Sequence, residues 1–192
     1  MRKEIYIDIQ PGDIGFTKGG GIVGWVIRHG TGSAYAHSFV YHKKISLSPT
    51  DSHTWQTVEA FPSLKKQKDG VQFRIRTEQP DKVIRICRTS QEREALLAYS
   101  AGMVGTGYGW GEIFRIALRF LGIKIKGWES TKRAICSNHC TQSIQAARRG
   151  VGVFFQYKPS LTWPGELATT LDAIIWGEER VAERLKRLRN GK

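Results

Sequence analysis

The stretch Arg133-Ala134-Ile135-Cys136-Ser137-Asn138-His139-Cys140-Thr141-Gln142-Ser143-Ile144 runs from an apolar, strand-like approach into an amphipathic helix. Cys136 and Ser137 stand at the changeover. A cysteine in the first turn of a helix faces unpaired backbone N–H groups and the positive end of the helix dipole. Both favour the thiolate, which is the reactive form of the side chain. The helix is expected over 136–147, with Gly150 ending the pattern. Cys140 falls one turn along the same face and reads as a core residue. Cys87, at the end of a strand pattern, reads the same way.

Upstream of this stretch the pattern is mostly strands. Residues 5–9 alternate and end at the turn signal Pro11-Gly12-Asp13; residues 14–16 resume as a short strand. Gly19-Gly20-Gly21 breaks the chain before a short helix face over 22–28, and 30–33 reads as a loop. Residues 36–42, 55–60, 70–76 and 82–87 read as strands, and the first two carry His37 and Glu59. A helix is expected over 90–103 with Ser90 as N-cap, and an amphipathic helix over 112–121. Glycines 105, 107, 109 and 111 punctuate a loop around Tyr108 and Trp110. A further helix starts near Glu166. Strands bearing His and Glu come first and the Cys helix comes late. That order predicts an α+β fold, an antiparallel sheet packed against helices. One domain is expected over 1–176. Residues 177–192 form a basic helix whose stripe of Val181, Leu185 and Leu188 packs on it.

A cysteine nucleophile needs a base to hold it as thiolate and to protonate the leaving group. His37 opens an apolar strand, where a histidine is a poor core choice without a partner. A third polar group normally takes the other imidazole N–H. Glu59, in Thr57-Val58-Glu59-Ala60-Phe61, suits that place, because a carboxylate in an apolar strand needs a partner. Asp51, His53 and Gln56 are the alternatives for it. His29, His42, His53 and His139 read as surface or loop residues. Tyr35, Trp110 and Trp163 are candidate groove walls, with core packing the competing reading for the two tryptophans.

Composition sets the outer limits. The chain has 192 residues, 40% hydrophobic and 24% charged, which describes a globular protein. Its net charge of +13 predicts attraction to polyanions such as a membrane surface, wall polymers or nucleic acid. No nucleic-acid motif stands in the sequence, and its aromatics are not interleaved with a basic run. Three cysteines argue against a disulfide framework. The opening residues lack the apolar run of a signal peptide, and no segment reaches the roughly 18 apolar residues of a membrane span. The expectation is a chain made in the cytoplasm, released or injected if its substrate lies outside. Gly19-Gly20-Gly21 has no following Gly-Lys-Ser/Thr and is not a phosphate loop. Cys136, His139, Cys140 and His37 form a conceivable zinc set, but CxxC spacing and a second cysteine pair are absent. No metal or cofactor is expected.

Four segments together resemble a known family. Pro11-Gly12-Asp13-Ile14-Gly15-Phe16 is similar to an opening Gly-Asp strand. Tyr35-Ala36-His37-Ser38-Phe39-Val40 resembles a His-bearing strand, and Val58-Glu59-Ala60 a strand that supplies an acidic residue. Ile135-Cys136-Ser137 resembles the start of a nucleophile helix. Gly105-Thr106-Gly107-Tyr108-Gly109-Trp110 and Trp163-Pro164-Gly165-Glu166-Leu167 are softer matches. The family is the permuted, YiiX-type branch of the NlpC-type papain-like cysteine hydrolases, in which His and the acid precede Cys. The resemblance implies a papain-like antiparallel sheet or barrel. It implies Cys136 as nucleophile, His37 as general base and Glu59 as its orienter. It also implies cleavage of amide bonds in peptidoglycan stem peptides or related substrates. A lipid acyltransferase or thioesterase is the alternative within the enzyme class. A non-catalytic basic module for nucleic acid or membrane is the alternative outside it.

Overall fold

A computed structural model describes residues 8–45, 54–62, 69–111, 113–114, 118, 123, 133–148 and 163–189. Among them the strands are β1 (Ile14–Thr17), β2 (His37–Lys44), β3 (Trp55–Phe61), β4 (Gly70–Arg76), β5 (Lys82–Ile84), β6 (Gly107–Tyr108) and β7 (Arg133–Ala134). The helices are α1 (Gly21–Thr31), α2 (Ser90–Gly102), α3 (Cys136–Ala147) and α4 (Pro164–Arg189). The first five strands form one antiparallel sheet in the order β4-β3-β2-β1-β5; β6 and β7 form a short parallel pair. The expected α+β class is what the structure has.

Alternation along the strands separates the two sheet faces. Val40 pairs with Ile14 and Val58, and Ile14 pairs with Ile84, so these apolar residues share a face. Ile14, Val40 and Ile84 pack with Leu96 of α2, Cys140 and Ile144 of α3, and Leu167, Leu171 and Ile174 of α4. The other face carries Phe39, Tyr41 and Trp55, a smaller buried cluster with Ile9 and Val83 against it. Gly15 pairs with Phe39 across β1 and β2. A Cβ there would lie 2.4 Å from the Phe39 ring, so glycine is what lets that ring lie across β1.

Several boundaries differ from the sequence expectation, each for a local reason. The N-cap of α2 is Thr89 rather than Ser90: its hydroxyl accepts from Glu92 N–H at 3.1 Å. Helix α1 continues to Thr31, and Gly32 closes it in the left-handed region at φ 64°. Strand β5 stops at Ile84, where Arg85 turns its guanidinium onto both oxygens of buried Asp13. Helix α4 begins at Pro164, a residue preorganised for a first helical position, rather than near Glu166. It runs unbroken through 176–177, so the tail is, up to Arg189, the continuation of the helix that packs on the core. Among the described residues no helix is long and apolar enough to cross a membrane. Residues 5–7 of the strand expected at 5–9, most of the helix expected at 112–121, and Asp51 and His53 lie outside the described residues; residues 8–9 are not in a strand.

Candidate active site

Three elements converge at one end of the sheet. His37 is the first residue of β2, Glu59 lies in β3, and Cys136 is the first residue of α3. The α3 N-cap is Ile135, in extended conformation and with no side-chain cap. The first-turn N–H groups therefore receive no capping oxygen from that residue, and the helix terminus keeps its positive potential.

The imidazole bridges the other two groups. His37 Nε2 donates to Glu59 Oε2 at 2.8 Å. His37 and Cys136 also shift each other's pKa, so the thiol lies within electrostatic reach of the imidazole; with Nε2 on Glu59, Nδ1 is the ring nitrogen left for sulfur. Cys136 Sγ also lies 4.0 Å from the Ala36 carbonyl. The rings of Phe39 and Phe61 flank His37, with centroids at 5.9 and 6.1 Å. The imidazole side chain is 13% exposed, whereas Glu59 has no solvent exposure.

Every oxygen of Glu59 is occupied. Oε1 accepts from Thr57 Oγ1 at 2.6 Å and from Arg76 Nε at 2.7 Å. Oε2 accepts from Arg76 Nη2 at 2.9 Å as well as from His37. This is a forked arginine–carboxylate pair with two further donors. Burial alone would raise the Glu59 pKa; the hydrogen bonds and charges of His37 and Arg76 outweigh it and hold the carboxyl well below its usual range. Glu59 is thus a fixed anion and not a proton carrier.

The same balance sets the other two groups. Burial alone would lower the His37 pKa, but hydrogen bonds with Cys136 and Glu59 and their negative charges raise it from 6.5 to about 9. Burial alone would raise the Cys136 pKa. The hydrogen bond and charge of His37, with backbone N–H groups of Ser38 and Ser137, bring it below that of an ordinary thiol. Both shifts favour the thiolate–imidazolium form of the pair. The other cysteines are buried and free. Cys140 is pushed up mainly by burial, and Cys87 is pushed up to about 11 by burial and Glu92.

Cys136 and His37 open into a cleft of about 530 Å³. Its walls include Ile27 of α1, Phe61, Arg76, Tyr108 and Trp110, with Glu78 and Asp81 also lining it. Trp110 packs edge-on against Tyr108 and donates to Asp69. A Cβ on Gly70 would sit 1.9 Å from the Thr106 carbonyl, so glycine permits the close approach that brings residues 106–110 to the cleft.

Of the three expected groove walls, only Trp110 lines this cleft. Tyr35 and Trp163 line a separate cavity of about 610 Å³ between the end of α1 and the start of α4. Tyr35 turns there because its ring packs on Phe16 of the core. His139 is not a surface residue: it is fully buried, and its Nε2 pairs with Ser100 Oγ at 3.0 Å. Burial lowers its pKa to about 4, so it is neutral. His42 is half-buried on β2, with its ring against Phe73. His29 is exposed on α1 and stacked on Trp25. No group of three or more His, Cys, Asp or Glu residues is placed to hold a metal ion among the described residues. Sequence reasoning missed Arg76, Thr57, Phe61 and Tyr108; the unpaired Glu59 charge was the signal that a cation had to lie nearby.

No family model and no curated protein matches this chain.

Proposed function

We propose that this chain is a cysteine hydrolase that opens an amide bond through a thioester, with Cys136 as nucleophile, His37 as acid and base, and Glu59 as the anion that orients His37. The observation that carries this reading is that Cys136, at a helix N-terminus, shares one cleft with His37, whose imidazole is held by the Glu59 carboxylate. A structural cysteine needs neither the imidazole nor the cleft; Cys140, one turn away, has no histidine partner of this kind.

The chemistry follows from the protonation states. The Cys136 thiolate attacks the amide carbonyl carbon, and negative charge moves to the carbonyl oxygen. The backbone N–H of Cys136, at the start of α3, is the donor we assign to that oxyanion. The tetrahedral intermediate collapses as imidazolium His37 gives its proton to the leaving nitrogen, so the amine departs and a thioester remains. Neutral His37 then takes a proton from water as its oxygen adds to the thioester. The carboxylic product leaves, and the thiolate–imidazolium pair is regenerated. Glu59 stays ionised throughout and stabilises the imidazolium.

The arrangement fits the permuted, NlpC-type papain-like fold: His and Glu strands before a Cys helix, and an antiparallel sheet behind it. Peptidoglycan stem peptides are the substrate class we favour. The net charge of +13 suits residence on an anionic wall, and the partly aromatic cleft suits a peptide. The test is mass spectrometry of peptidoglycan incubated with the protein and with Cys136→Ala. New free amines and carboxylates at stem-peptide bonds, absent with Cys136→Ala, are the expected result. Equal fragments from both proteins would remove Cys136 from the reaction.

A further inference from the structure

Arg76 stands outside the three reacting groups, yet it touches two of the groups around the imidazole, the Glu59 carboxylate and the Phe39 ring. Its guanidinium forks onto both oxygens of Glu59, Nε to Oε1 at 2.7 Å and Nη2 to Oε2 at 2.9 Å. The same guanidinium lies over the Phe39 ring, 4.1 Å from its centroid. Phe39 is one of the two rings that flank His37. The opposite ring, Phe61, carries Arg74 over it at 4.1 Å. Only Arg76 combines a ring with the carboxylate.

We propose that Arg76 is a positioning residue of this site: it fixes the Glu59 carboxylate and the Phe39 ring in the places that hold the His37 imidazole against Cys136. The proposal rests on the reading of Cys136 and His37 as a reactive pair. A carboxylate accepting from Thr57 and His37 alone can rotate about its last torsion, because that torsion is soft. Two parallel N–H donors in a planar fork remove that freedom. Oε2 then keeps one lone pair aimed at Nε2, which fixes the ring and leaves Nδ1 free for sulfur. The fork also keeps the Glu59 charge in a buried place where it otherwise lacks a counter-ion when His37 is neutral.

The charged and titratable groups around the imidazole are Cys136 from α3, Glu59 from β3 and Arg76 from β4. Neutral His139 of α3 lies behind, and Glu78 and Asp81 line the cleft. Losing Arg76 acts on the thiolate in one direction by two routes. It takes a positive charge away, and it loosens the imidazolium that faces sulfur. Both make the thiolate harder to form. Lysine keeps the charge but cannot reproduce the fork.

The test is the rate of Cys136 alkylation by iodoacetamide from pH 4 to 10, read peptide by peptide with mass spectrometry, on the full chain with its fold checked by circular dichroism. Arg76→Gln is expected to move the midpoint for Cys136 upward by about 1 pH unit. Arg76→Lys is expected to move it upward by less than half as much. A residue needed only for folding lowers the melting temperature and leaves the midpoint where it was. Folded variants with the wild-type midpoint would therefore overturn the proposal. If Arg76→Gln does not fold, Arg76→Lys decides alone: an upward shift supports the role and the wild-type value overturns it. A wild-type Cys136 midpoint no lower than that of Cys87 is a different result, because it sinks the reactive-pair reading itself.

Discussion

Glu59→Gln is the substitution in which the site's electrostatics and its hydrogen-bond geometry can be separated most directly. Four donors converge on the carboxylate: Thr57 Oγ1, Arg76 Nε, Arg76 Nη2 and His37 Nε2. An amide of the same size offers one acceptor oxygen and one N–H₂, which is itself a donor. The cheaper orientation puts the amide oxygen on the His37 side, because the Thr57 hydroxyl can rotate and accept. Arg76 Nε then faces N–H₂ with no acceptor. The change also leaves one cation, Arg76, beside the site without its anion. Removing one partner of a buried pair costs about 3–5 kcal/mol, and two retained hydrogen bonds place this case near the lower figure. For a chain of this size, about 3 kcal/mol lowers Tm by roughly 6–12 °C. Cys136 reactivity moves with it: without the carboxylate that raises its pKa the His37 imidazolium is less populated, so the thiolate loses its partner and the pH midpoint for iodoacetamide alkylation rises. Calorimetry and the alkylation profile are read on the same sample. A melting temperature within 2 °C of wild type, with an unchanged midpoint, would refute the argument that Glu59 is a buried anion working on His37.

Two further outcomes follow from the same geometry. The His37 pKa is raised, so the imidazolium is present through neutral pH and the proposed amide hydrolysis is expected to fall as pH rises through about 9; the Cys136 pKa is lowered, so the acid limb is expected below the ordinary thiol range. A pH–rate profile that peaks only above 9 would show that sulfur is not ionised by this pair. Gly15→Ala places a Cβ 2.4 Å from the Phe39 ring; overpacking of this kind costs about 1–3 kcal/mol, read by urea denaturation, and an unchanged midpoint would mean that Phe39 is free to move away.

Much of the sheet was legible because its strands obey a period of two. The expected strand over 70–76 and the expected helix over 136–147 coincide with β4 and α3. His37 and Glu59 were legible as polar residues in apolar strands that require partners. Arg76 was not, because alternation puts Arg74 and Arg76 opposite Val71, Phe73 and Ile75 but says nothing of what a long side chain reaches. That depends on register: Glu59 pairs with Gln72 across the ladder, and the guanidinium of Arg76 must travel back along β4 to reach it. His139 was hidden for another reason. The run 136–141 is buried throughout, between α2 and the sheet, although its composition is polar. Its hydroxyls are satisfied within the helix: Thr141 donates to the Ser137 carbonyl and Ser143 to the His139 carbonyl. Hydroxyls that bond back to the helix's own carbonyls let polar residues be buried without an apolar stripe to announce it.

The two thiols of α3 show which physical term decides reactivity. Cys136 and Cys140 share a helix, lie one turn apart and are both buried, yet their pKa values move in opposite directions. Burial penalises the thiolate at both, so burial cannot be the difference. The helix dipole favours the thiolate most in the first turn, and its effect falls off beyond it. The dipole alone is worth about 0.3–1 kcal/mol at exposed sites, less than one pKa unit, which does not reverse a full desolvation penalty. What reverses it at Cys136 is the imidazolium, with the N–H groups of Ser38 and Ser137 adding to it. At Cys140 the polar neighbour is the Ser38 hydroxyl, a neutral donor, and burial prevails. The position at the start of α3 is therefore permissive rather than sufficient. Removing His37 should return Cys136 to the behaviour of Cys140 although the helix terminus is untouched, and that is why the ionised Glu59 and the residue that holds it matter to a sulfur atom they do not contact.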